Sequence, residues 1–377
     1  MDLSALLTPS MVGFNVAIYA IMLMLLWPYY NQYEYKTNNN AYIAIVLFSL
    51  FCMFSFWGTD YFHYMARFRW LSKGYIDRSI EEVYTDIAIR SSTYTIFRMI
   101  IWGGAIVFCI FIAKNLRISL GLFFLILIGG FITKFSYGRV TLAMSLIFMG
   151  VSLIVRENNS KFIYKVIGLV CLFLSFYFHK SAPFGIIMAF LSLFLANIMT
   201  RKFMNIFLIV YPFLLIILNI IVIHILSINQ GVDNAININA AQSYLTAKNG
   251  TSLGIGAILG NILTWGGYYL TAFVYLKSIY SYQYNEMTVP MKVFGTAAFL
   301  IVSTATLFAF DLGANTYVYF YRFLFFAMIP CTVFLCYCII YELFPRLVKN
   351  TVKVCIIGTS YQLLYSLYLA FIGAHKF

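Results

Sequence analysis

The chain has 377 residues, of which 63% are apolar and 10% charged, with a mean hydropathy of +0.88. Soluble chains carry roughly 25% charged residues, and no core of this size could hide the surplus apolar surface without lipid, so a soluble enzyme is excluded. The 25 Lys and Arg against 12 Asp and Glu leave a formal charge of +13; in so apolar a chain the excess points to basic cytoplasmic loops rather than to nucleic acid.

A bilayer-spanning helix takes roughly 20 predominantly apolar residues. Apolar runs bounded by charged or turn-forming residues occur at 11–30, 41–57, 93–113, 118–133, 140–155 and 162–178, then at 183–199, 204–228, 253–279, 293–310, 320–344 and 351–373. They predict an all-α polytopic transmembrane bundle of about 12 spans, forming one integral membrane domain over 1–377. No basic region precedes the first run and no small-residue cleavage site follows it, so the first span is expected to stay. Two long polar gaps remain, 58–92 and the Asn-rich 229–252. No internal repeat suggests an inverted-repeat transporter. The cysteines Cys52, Cys109, Cys171, Cys331, Cys336, Cys338 and Cys355 lie nearly all in apolar runs, without a CxxC or a His pair at zinc spacing, and read as small core hydrophobes.

Alternate loops carry different numbers of basic residues. Those after the odd-numbered runs hold Lys36; Lys114 and Arg117; Arg156, Lys161 and Lys165; Arg201 and Lys202; Lys277 and Lys292; and Arg346, Lys349 and Lys353, thirteen in all. The short loops on the opposite side hold five: Lys134, Arg139, Lys180, Lys248 and Arg322. The first set is therefore expected to be cytoplasmic, with both termini outside. The 58–92 loop mixes Arg67, Arg69, Lys73, Arg78 and Arg90 with Asp60, Asp77, Glu81, Glu82 and Asp86, and Arg98 follows at the start of the next run. This predicts a folded extracytoplasmic segment with internal ion pairing, its 78–90 part an amphipathic helix in the interface.

Four outward motifs set ionisable residues beside apolar sequence, where burial costs several kcal/mol unless the charge is used or paired. They are Gly58-Thr59-Asp60, Gly138-Arg139, Phe178-His179-Lys180-Ser181 and Tyr321-Arg322. Each has a plainer reading: an Arg opening a span is commonly a snorkelling anchor, and the neighbouring aromatics an interfacial belt. Asp60 gains nothing from anchoring. As chemistry, Arg139, Lys180 and Arg322 suit a phosphate or diphosphate, and Asp60 or His179 could take a proton from a hydroxyl nucleophile. With no DxD or other tight carboxylate cluster in these motifs, a site without metal, its cations supplied by Arg and Lys, is the simpler expectation. Asp233 and Asp311 are spare outward carboxylates.

In these four patterns, Tyr64 included, and in size and span count, the chain resembles the EpsG family, grouped with the Wzy-type polymerases of O-antigen, capsule and exopolysaccharide repeat units. The resemblance implies an architecture similar to GT-C-like membrane glycosyltransferases in a bacterial inner membrane. It implies transfer of a growing glycan from undecaprenyl diphosphate to a lipid-linked repeat unit at the outer face, without a cofactor. It also implies a chain-length regulator and a flippase as partners, beside the lipid-linked glycan and the membrane itself. Carried over, Arg139 and Arg322 would hold the diphosphate with help from Lys180, Tyr64 and Tyr321 would contact substrate, and Asp60, ahead of His179, would be the base. The aromatics of 58–92 suit stacking on sugar rings or an interfacial position equally. The 229–252 loop reads as solvated more than as glycan-binding. The alternatives are a lipid-linked oligosaccharide flippase or other transporter, another membrane glycosyltransferase, or a glycan acyltransferase. A carrier would place charge near the bilayer midplane, whereas the span centres here are almost free of it.

Overall fold

The structure is a computed structural model that describes residues 9–31, 39–54, 61–75, 81–135, 138–156, 162–228, 255–309 and 323–371. Among the described residues the regular structure is helical throughout, with no strand. The helices are α1 (Pro9–Leu26), α2 (Asn39–Phe54), α3 (Tyr61–Leu71), α4 (Glu82–Arg90), α5 (Tyr94–Asn115), α6 (Leu120–Phe135) and α7 (Gly138–Ile154). They continue as α8 (Phe162–Leu174), α9 (Ala182–Leu195), α10 (Arg201–Ile228), α11 (Ile255–Tyr280), α12 (Val289–Ala309), α13 (Met328–Ile340) and α14 (Pro345–Phe371). A helix runs through each of the twelve apolar runs, and α3 and α4 fall in the polar 58–92 segment. Among the described residues, four segments are long and apolar enough to cross a membrane by length and composition: Pro9–Asn31, Tyr94–Asn115, Val289–Thr306 and Phe323–Ile340.

Large apolar side chains cover much of the outside of the bundle. Met24, Phe162, Phe194, Ile209 and Phe213 are all more than 60% exposed, a surface that would aggregate in water and that suits hydrocarbon. The centre is formed by α6 and α13, buried along nearly their whole lengths, with α7 and α12 beside them. Helices apolar on all sides need neighbours on all sides. Accordingly α14 packs on α1, α6 and α11, α7 on α5, α8 and α9, and α12 on α9, α11 and α13.

Small residues let these helices approach, as in lipid-embedded bundles. A Cβ on Gly150 of α7 would lie 2.5 Å from the carbonyl oxygen of Gly168 in α8, and one on Gly130 would lie 2.9 Å from Cys355 Cβ of α14. Hydroxyls tie the same contacts. Tyr19 donates to the Gly129 carbonyl at 2.9 Å and Thr359 to that of Gly130 at 2.7 Å. All seven cysteines are buried, as expected of core hydrophobes.

Loop contacts sort into two groups. Tyr30 donates to the Lys349 carbonyl at 3.0 Å, Tyr337 to that of Leu116 at 2.9 Å, and Tyr284 to that of Ala196 at 2.8 Å. These bonds join the neighbourhoods of the basic odd-numbered loops to one another. Burial pushes the Tyr284 phenol up to about 12, so it stays a neutral donor there. The even-numbered loops meet one another through Glu81, described below. Two helix ends in the basic group close on left-handed residues other than glycine, Arg117 at φ 55° and Glu342 at φ 52°. The N–H of Ile118 returns to the Ala113 carbonyl at 2.8 Å, and that of Leu343 to Cys338 at 2.9 Å, satisfying last-turn carbonyls.

Candidate functional site

The first turn of α7 places Arg139. Trp102 of α5, 5% exposed, donates its indole N–H to the Phe135 carbonyl at 3.2 Å, and Thr141 donates to the same oxygen at 3.3 Å. Gly138 lies against the indole, where a Cβ would stand 2.6–2.8 Å from three of its ring carbons. The glycine of the Gly138-Arg139 motif is therefore a steric requirement. Arg139 leaves this turn with a side chain 15% exposed.

Its guanidinium meets an acid from a distant part of the chain. Arg139 Nη1 lies 2.7 Å from Glu81 Oε2, and that carboxylate is 8% exposed. The other oxygen, Oε1, accepts the backbone N–H of Lys180 at 2.8 Å. One carboxylate thus joins three elements: the start of α4, the start of α7 and the turn before α9. Tyr84, 1% exposed, locks the same junction by donating to the Phe178 carbonyl at 2.8 Å, and its ring lies 5.7 Å from the Arg139 guanidinium carbon. The expected internal pairing of the 58–92 segment needs correcting on this point, because Glu81 is satisfied by helix α7 and the 178–181 turn. The expected helix within 78–90 is present as α4, with Tyr84 and Ala88 buried and Glu82, Asp86 and Arg90 exposed.

The 178–181 turn forms where α8 stops earlier than its apolar run. Past Leu174 the backbone tightens into a 3₁₀ turn at Ser175–Tyr177, with Ser175 donating to the Leu172 carbonyl at 2.6 Å, and Pro183 then opens α9. His179 Nδ1 accepts the Ser181 backbone N–H at 3.0 Å and also contacts the Ser181 hydroxyl. A backbone N–H can only donate, so the ring proton of neutral His179 is on Nε2. In this state the imidazole can donate a hydrogen bond from Nε2–H; taking a proton at Nδ1 would break its bond to Ser181. The Lys180 side chain is exposed.

Of the residues singled out from sequence, Arg139, His179 and Lys180 are brought together. Tyr64 lies in α3, while Asp60, Tyr321 and Arg322, with Asp233 and Asp311, lie outside the described residues. The sequence reading gave no site role to Glu81, Tyr84, Trp102 or Arg98. Arg98 of α5 is 1% exposed, with its guanidinium carbon 5.2 Å from the Trp102 ring centre and 5.9 Å from that of Tyr94. A cation that deep in a membrane-length helix is costly unless it is used or compensated. It lies over the ring of Trp102, the side chain that Gly138 also contacts. The signal available in the sequence was its position, five residues past the Thr93 that caps α5 by accepting the Ile96 N–H.

A second feature lies between α10, α11 and α12. A cavity of about 340 Å³ is lined by Phe207, Tyr211, Pro212, Tyr269, Phe273 and Phe299 among others, without a charged side chain. It suits hydrocarbon and offers no carboxylate, imidazole or amine.

No protein-family model matches the chain, and no curated protein or solved structure matches it. The architecture and composition together define its class: a helical protein with, among its described residues, four helices long and apolar enough to cross a membrane.

Proposed function

We propose that the protein is a bacterial polysaccharide polymerase of the Wzy type, crossing the inner membrane about 12 times with its site on the outer face. It moves a growing glycan from an undecaprenyl diphosphate carrier onto a lipid-linked repeat unit. The observation that carries this reading is the meeting of Arg139 with the His179-Lys180 turn across Glu81. Arg139 and His179 stand 40 positions apart, one in the first turn of α7 and the other in the turn before α9. Glycan transfer from a lipid diphosphate needs positive charge on the departing diphosphate and a group that takes the acceptor proton. Arg139, Arg322 and Lys180 supply the charge, and Asp60 takes the proton. With Nδ1 committed to Ser181, His179 is better suited to give a hydrogen bond from Nε2–H to the departing diphosphate than to act as base. Tyr64 and Tyr321 contact the sugars. The cavity beside α10 offers the carrier's hydrocarbon an apolar wall.

Cells lacking the protein decide between this and the flippase reading. A polymerase defect leaves single lipid-linked repeat units and no ladder on a glycan gel, whereas loss of all surface product refutes the polymerase. In complementation, Arg139→Ala and Arg322→Ala are expected to insert at normal levels and restore no long glycan. Full-length polymer from both would remove the diphosphate clamp.

A further inference from the structure

Arg139 cannot hold a diphosphate while its charge is met by Glu81. The Glu81 carboxylate accepts a guanidinium N–H on one oxygen and a backbone N–H on the other, at 2.7 and 2.8 Å. A phosphate oxygen seeks the same donor set at the same distances. The arrangement therefore already forms an anion site, and its present occupant belongs to the chain itself.

We infer that Glu81 is a displaceable internal anion, seated on Arg139 and the Lys180 amide until a phosphate or diphosphate group takes its place. The inference deepens the proposed function, and rests on it only for the identity of the natural ligand. With Glu81 in place, the local charge of Glu81, Arg139 and Lys180 sums to +1; with the carboxylate swung away, the two cations face the incoming anion together. The movement is small. Glu81 is the extended residue just before α4, at φ −66° and ψ 138°, so rotation of its side chain suffices. Tyr84 keeps α4 docked through the Phe178 carbonyl meanwhile. The exchange replaces one partly buried ion pair by another and leaves neither Arg139 nor the Lys180 amide unsatisfied, the outcome that would cost most in a desolvated place. It also makes the site selective: a singly charged anion gains little by evicting a carboxylate, whereas a diphosphate brings enough charge to engage both cations.

The test uses the purified full chain in lipid nanodiscs and two probes, inorganic pyrophosphate and farnesyl diphosphate, with binding measured by calorimetry. Glu81→Gln keeps an oxygen for the Lys180 N–H but removes the competing charge, and is expected to bind pyrophosphate about tenfold more tightly than the parent, ~1.4 kcal/mol. The gain is expected to vanish when Arg139→Ala is added. A further gain with farnesyl diphosphate identifies the anion as a lipid headgroup; equal affinity identifies it as free phosphate. Pyrophosphate binding that is unchanged or weakened in monodisperse Glu81→Gln, or absent from both proteins, overturns the inference. In the parent, hydrogen exchange gives an independent reading. Saturating pyrophosphate is expected to leave exchange at 82–84 unchanged, because α4 stays docked, while the Lys180 amide, passed from carboxylate to phosphate, stays at least as protected; faster exchange at Lys180 overturns displacement. Glycan polymerisation is read separately in cells, so a missing ladder defect refutes the polymerase while leaving a pyrophosphate result standing.

Discussion

Replacing Gly138 by alanine tests whether the packing of one glycine positions the site. The new Cβ would stand 2.6 Å from the nearest Trp102 ring carbon, against an ordinary contact of about 3.4 Å, so one partner must yield roughly 0.8 Å. The indole cannot move freely, because its N–H is bonded to Phe135 and Arg98 lies over its ring. The strain falls on the first turn of α7. Overpacking of this kind costs about 1–3 kcal/mol. A shift of that size at the neighbouring Arg139 would stretch its 2.7 Å bond to Glu81 to the edge of hydrogen-bond range. The expected result is an apparent melting temperature lowered by a few degrees in detergent, together with a shortened glycan ladder at equal protein level. A double-mutant cycle isolates the cause: in a Trp102→Phe background, which removes the crowding atoms, Gly138→Ala should cost about 1 kcal/mol less. Equal stability of Gly138→Ala and parent, or an equal cost in both backgrounds, refutes the steric argument.

Three further outcomes are expected. Asp60→Asn should abolish polymer while His179→Gln, which retains an acceptor and a donor, leaves reduced but measurable elongation; normal ladders from Asp60→Asn would transfer the base role to His179. Gly150→Ala should destabilise by about 1–3 kcal/mol, because its Cβ meets the Gly168 backbone oxygen at 2.5 Å and no side chain can rotate away; an unchanged melting profile would show that α7 and α8 can part without penalty. Arg98→Met, which keeps the length of the side chain but not its charge, should insert normally and lower polymer yield several-fold; unaltered yield would reduce Arg98 to a packing element.

The sequence made the helices legible because lipid simplifies the problem. In a bilayer an apolar run of sufficient length has one way to satisfy its backbone, so twelve runs predicted twelve helices and each is present, with edges displaced where local chemistry intervenes. Pro345 starts α14 six residues before its apolar run, and Ser175 ends α8 four residues before its own run does. The site was legible only in part, for a different reason. Gly138-Arg139 and His179-Lys180 stood out because charge beside apolar sequence is anomalous at a helix end. Glu81 did not, because it sits in a polar segment among other acids, where nothing local separates a surface carboxylate from one that reaches Arg139 across 58 residues of chain. The same holds for Arg98. Counted as one more cation near a loop, it looks like an anchor; its burial over Trp102 depends on where α5 meets α7, which hydropathy does not encode. Apolar pattern specifies which segments enter the membrane, whereas the partner of each charge follows from how their ends are brought together, and Glu81 is where that difference bears most directly on chemistry.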